Sequence, residues 1–212
     1  MMTPTYTDVT GLAGIAVALA ATPLAIPSVR QMRRPRLAVL LAVVAMVVLI
    51  PFGTLSVAMG VRGIFGDLSI TTLVLLGSAM VRALTGWPPV DRRARFAVIA
   101  FVSAGALALY PMALGVGMFD PYRLGYGSPW LLSAFFVAAL AAWLGRLNPV
   151  ALCLALAIFA WTLRWYESTN VWDYLLDPLV SFYALGNLVC RGASRFASSR
   201  RGATTLDSAT RP

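Results

Sequence analysis

Residues 164–178 read RWYESTNVWDYLLDP, and this stretch decides how the chain is read. It carries Glu167, Asp173 and Asp177, three of only eight acidic residues, beside Trp165, Tyr166, Trp172 and Tyr174. A segment starting at Pro178 would give a short apolar run to Cys190. A helix starting at Asn170, a good N-cap residue, gives a long one. The longer reading places Asp173 in the first turn, where a carboxylate suits the helix dipole, and Asp177 one turn deeper on the same face. Pro178 then kinks the helix and frees the carbonyl of Tyr174. Asp173, Asp177 and that carbonyl together suit a cation or an amine. Three structural alternatives stand beside it. Asp177 pairs with Arg164 or Arg123, or burial protonates it, or the segment 163–176 lies flat at the interface with Asp177 as the N-cap of a short half-helix.

Outward from there, composition sets the class. Hydrophobic residues make up 59% of 212 and charged residues 12%, and the mean hydropathy is +0.79. Soluble domains average about 25% charged. Seven apolar runs, roughly 10–29, 38–60, 67–86, 96–118, 130–145, 149–164 and 170–190, predict an all-α polytopic transmembrane bundle. Runs five and six are short, so six spans is the alternative. Asn148 and Pro149 suit a helix start after the GRLN turn, and Asp67 suits the N-cap of the third run. The chain divides into a helical domain, 1–190, and a basic, partly disordered cytoplasmic tail, 191–212.

All 17 basic residues are arginine. Three of them, Arg62, Arg123 and Arg164, fall on one side of the expected bundle; the others fall on the opposite side or in the tail. The positive-inside rule then predicts the N-terminus outside and the C-terminus inside. Arginine without lysine, with abundant Ala, Gly, Val and Leu, points to a GC-rich bacterial genome and hence to a multi-pass protein of the bacterial inner membrane. Membrane lipids are the expected partners, with a lipid-linked glycan or another envelope membrane protein. Nucleic acid is not, because the arginines are split among separate short segments without a recognition motif.

The absence of histidine excludes an imidazole base, a zincin site and a Ser-His-Asp triad. The absence of lysine excludes Schiff-base chemistry. No P-loop or dinucleotide fingerprint is present. No cofactor or metal is expected, and Cys153 and Cys190 sit at different depths, too far apart for a disulfide.

A second aromatic stretch, FDPYRLGYGSPW (119–130), is expected to fold and to touch 164–177. Asp120, Arg123 and Tyr126 there join Arg164, Trp165, Tyr166, Glu167, Trp172, Asp173 and Asp177 as ligand-binding candidates. Aromatic faces and fixed polar groups suit sugar rings or a head group, and an interfacial aromatic belt is the alternative. Three functions fit. The first is an accessory or binding subunit in envelope or lipid-linked glycan handling. The second is a small cation, amine or proton-coupled transporter using Asp177. The third is a membrane transferase with an outer-face carboxylate base.

Overall fold

The computed structural model describes residues 5–88 and 90–209, with side chains described as far as Ser194. Its helices are α1 (Tyr6–Ala21), α2 (Pro27–Arg30), α3 (Arg34–Val47), α4 (Val57–Phe65), α5 (Ile70–Thr85), α6 (Arg92–Ala113), α7 (Pro129–Leu144), α8 (Asn148–Thr162), α9 (Val171–Leu175) and α10 (Pro178–Ala209). Short 3-10 turns occupy Thr22–Ala25 and Pro121–Gly125. One tiny hairpin pairs β1 (Pro51–Phe52) with β2 (Leu55–Ser56).

Local chemistry sets most of these boundaries. Thr5 and Asp8 form a reciprocal capping box that starts α1. Ser56 and Ser69 cap α4 and α5 through their hydroxyls. Ser69, not Asp67, is therefore the cap of the third apolar run. Gly86, at φ 75°, closes α5 in the left-handed conformation that costs glycine little. Asn148 begins α8 as its first helical residue rather than as a cap, with Pro149 in the first turn.

The seven-span expectation is overturned. Among the described residues two helical segments, Tyr6–Ala25 and Arg92–Ala113, have the length and composition to cross a membrane. The second apolar run ends its helix at Val47, because Pro51 cannot continue it and Gly53, at φ 71°, turns the hairpin. Helices α5, α7 and α8 are 16, 16 and 15 residues long. At about 1.5 Å per residue they reach roughly 24 Å, short of a hydrocarbon core of about 30 Å. The last run breaks at Leu176, whose backbone is extended (φ −131°, ψ 138°). The molecule is instead a helical bundle with buried hydrogen bonds in its interior and partly exposed ion pairs at one corner. The readings that took seven spans as their premise fall with them. These are the sidedness of the termini, the inner-membrane location, the lipid and lipid-linked glycan or envelope-membrane partners, and the accessory, transporter and transferase roles within that membrane.

The main core joins α5, α6, α7, α8, α9 and α10 around Val102, Leu154, Tyr174 and Leu175, each essentially inaccessible. A smaller cluster of Ile15, Ala58 and Leu68 seats α1 against α4 and the start of α5. A third, Leu24, Leu37 and Leu41, ties α3 to the far end of α1. Helix α10 continues with helical backbone to Ala209.

Candidate functional site

Asp177 is 4% exposed and lies where two helices begin. Its Oδ2 accepts from the Ser69 amide at 2.8 Å, the Ser69 hydroxyl at 2.8 Å and the Thr72 hydroxyl at 2.5 Å. Its Oδ1 accepts from the Val180 amide at 2.8 Å. The carboxylate thus caps α10 and α5 together, with the positive ends of both helix dipoles turned toward it. Four donors fill its coordination. Pro178 disfavours a helical conformation at the residue before it, which separates α9 from α10 and releases Asp177 to make these bonds.

Asp173 turns elsewhere, so the two carboxylates are not brought together. It accepts from the Tyr122 hydroxyl at 3.0 Å and from Ser168 at 2.5 Å. Burial and the neighbouring Asp173 charge hold the Tyr122 phenol above its ordinary pKa, keeping it a donor. The segment 164–176 is pinned to 119–126 at further points. The Asn170 amide donates to the Tyr122 carbonyl at 2.9 Å, and the Trp172 indole donates to the Pro121 carbonyl at 3.0 Å. Asn170 also caps α9, accepting from the Trp172 amide at 3.0 Å. Gly125 is required at this contact: a Cβ there would fall 1.7 Å from Asn170 Oδ1 and 2.6 Å from Trp172 Cδ1. Asp120 starts the 3-10 turn by accepting from the Tyr122 amide at 2.9 Å. The two aromatic segments therefore touch, as their sequences predicted.

Beneath them Tyr174 and Tyr166 stack with ring centroids 5.1 Å apart. The Tyr174 hydroxyl accepts from the Tyr166 amide and donates within reach of the Tyr166 and Ser168 carbonyls. This one side chain closes the 166–174 loop on itself. The Tyr166 hydroxyl, in contrast, is buried without a partner, and desolvation raises its pKa.

An arginine that sequence reasoning used only to count charge organises the neighbouring corner. Arg62 bonds Asp67 at 2.6 Å and Asp8 at 2.8 Å, and lies 3.5 Å from Glu167. Every ion pair among the described residues is made by Arg62. It links α1, α4, the loop before α5 and the 164–170 segment. Its bond to Asp8 is the main cause of the Asp8 carboxyl falling to about 2, well below the usual range. Gly11 lets α1 approach: a Cβ there would lie 2.2 Å from Asp67 Oδ1 and 2.6 Å from Arg62 Nε. Thr10 adds a hydroxyl bond to the Trp165 carbonyl. The sequence signal was present, since Asp67 follows Arg62 by five residues, but nothing local pointed to Asp8 or Glu167.

The candidate residues thus divide. Asp177, Asp173, Asp120, Tyr166 and Trp172 hold the fold, and Trp165 is half-buried in an edge contact with Tyr6. Glu167, Arg123, Arg164 and Tyr126 face solvent, together with Trp130, which is 83% exposed. No group of three or more metal-ligating side chains occurs among the described residues. Cys153 is buried and Cys190 exposed, both free thiols; burial raises the Cys153 pKa to about 11. Comparison with protein-family models, with characterised proteins and with solved structures finds no match.

Proposed function

We propose that the chain is a binding protein and that its recognition surface is the bundle end built from residues 119–130 and 164–173. One observation carries the reading: Asp120, Asp173 and Asp177 are committed to hydrogen bonds of the fold, while an aromatic and charged rim stays exposed on that rigid base. A general base needs a carboxylate free to take a proton from a ligand. Asp173 and Asp177 have both oxygens turned to the protein's own donors, and Asp120 gives one to the Tyr122 amide.

The rim offers complementary chemistry. Tyr126 and Trp130 present ring faces, Arg123 and Arg164 supply donors, and Glu167 supplies an acceptor. Flat apolar faces beside fixed donors and acceptors suit a hydroxyl-rich ring such as a carbohydrate. The hydrogen-bonded base holds the rim in place before a ligand arrives, which lowers the ordering cost of binding.

The test is a tryptophan-fluorescence titration of the purified chain with glucose, galactose, mannose and N-acetylglucosamine oligomers. The reading expects a saturable change with at least one of them, weakened about tenfold or more by Trp130→Ala, the loss of one anchor residue. No saturable change with any member of the panel would overturn it.

A further inference from the structure

Arginines crowd the starts of two helices, Arg33, Arg34 and Arg36 at α3 and Arg92, Arg93 and Arg95 at α6. All of these are exposed. Among the described residues the arginine side chains that donate hydrogen bonds are those of Arg30 and Arg62, and every ion pair belongs to Arg62. The two clusters thus have no polar partner in the described fold. Their placement works against local stability, because cations face the positive ends of two helix dipoles and like charges sit three residues apart.

The sequence scatters these arginines over separate segments, and the fold gathers them at one end of the bundle. The Arg34 guanidinium lies against the close of α5: a Cβ at Gly86 would fall 2.3 Å from its Nη2. The Arg191 guanidinium sits 5.7 Å from the centre of the Phe96 ring and joins α10 to the start of α6. Among the described side chains Asp91 is the acid beside them, and one of its oxygens accepts from the Arg93 amide at 3.2 Å. Two indoles stand bare next to the arginines. Trp87, which follows Gly86, is 70% exposed, and Trp143, on the last turn of α7 before the exposed Arg146, is 63% exposed.

Unpaired cations and bare aromatic faces together select the partner. A phosphodiester chain gives up its counterions to arginines that have no partner of their own. Stacking needs bases free of a complementary strand, so the indoles favour a single strand over a duplex. An acidic protein segment would meet the arginines and leave both indoles unused.

We propose that this basic end binds single-stranded nucleic acid, with the arginines on phosphates and Trp87 and Trp143 against bases. The proposal does not rest on the carbohydrate reading of the opposite end. Fluorescence anisotropy of a labelled oligothymidylate titrated with the full chain tests it, in competition with a duplex of equal length, polyglutamate and phosphatidylglycerol vesicles. The expected result is saturable binding, tightest for the single strand, that weakens roughly tenfold or more between about 50 and 200 mM salt. The triple variant Arg92→Ser/Arg93→Ser/Arg95→Ser should weaken it roughly tenfold or more at unchanged Tm, and Trp87→Ala about fivefold or more. Arg33→Ser/Arg36→Ser gives a second reading should the triple variant lose Tm. Absence of saturable binding overturns the proposal, as does equal or tighter binding of the duplex, polyglutamate or vesicles. Full affinity in an arginine variant that keeps its Tm, or in Trp87→Ala, overturns it too.

Discussion

Asp177 shows how one side chain can be read in opposite ways. Its sequence context, acidic and next to proline within an apolar run, suits a cation or proton site. The same context suits a cap at a helix break, and the structure has the cap, with four donors within 2.8 Å. The deciding partners, Ser69 and Thr72, lie more than 100 residues away in sequence, so the two readings could not be separated locally. The cap reading makes a quantitative prediction. Asp177→Ala leaves buried donors unmet and should lower unfolding stability by about 3 kcal/mol or more, counting about 1–3 kcal/mol per orphaned group. Asp177→Asn keeps one acceptor oxygen and should cost less than Asp177→Ala. Denaturant midpoints measure both; a loss below about 0.5 kcal/mol for Asp177→Ala would contradict the capping role. Asn170 was legible by contrast, because an N-cap acts on its own next turn.

At the level of elements, proline and glycine explain what apolar periodicity hid. Pro51 and Gly53 turn the second run into a hairpin, and Pro178 splits the seventh into α9 and α10. A run of hydrophobic residues does not record where its backbone changes direction. The meeting of 119–126 with 164–176 was legible because turn residues and aromatic handles were dense in both. The Arg62 corner was not, since its four members come from separate elements. That corner makes an acid-limb prediction. The Asp8 carboxyl titrates near 2 in the folded chain and near its ordinary value of about 3.9 when unfolded. Its contribution to stability is therefore complete above about pH 4 and is lost as pH falls through about 2. The denaturant midpoint of the unaltered chain should fall more steeply over that window than that of Asp8→Asn, which has no carboxyl to titrate. Equal slopes would show that the Arg62 contact does not hold Asp8 in solution.

For the whole molecule, charge is sorted between the two ends of the bundle. The α1 start, the α5 start and the 164–177 segment share the acidic, hydrogen-bonded end. Arg33, Arg34 and Arg36 at the start of α3, Arg92, Arg93 and Arg95 at the start of α6, and Arg146 between α7 and α8 carry positive charge at the other. The sequence showed the arginines clustered in short segments, but the membrane sidedness and span count drawn from them do not hold, because apolar composition was equated with membrane-crossing length. Hydrogen-bonded carboxylates, Asp177 buried and Asp120 and Asp173 partly so, hold this end together, and the exposed rim does the recognising. The most direct measurement is complementation of a deletion strain by the Tyr126→Ala/Trp130→Ala double variant and by Asp173→Asn, with protein abundance and Tm recorded for each. The rim variant should keep its abundance and Tm and lose function, while Asp173→Asn should lose Tm, abundance and function in step. Full function in the rim variant, or abolished function at unchanged abundance and Tm in Asp173→Asn, would contradict it.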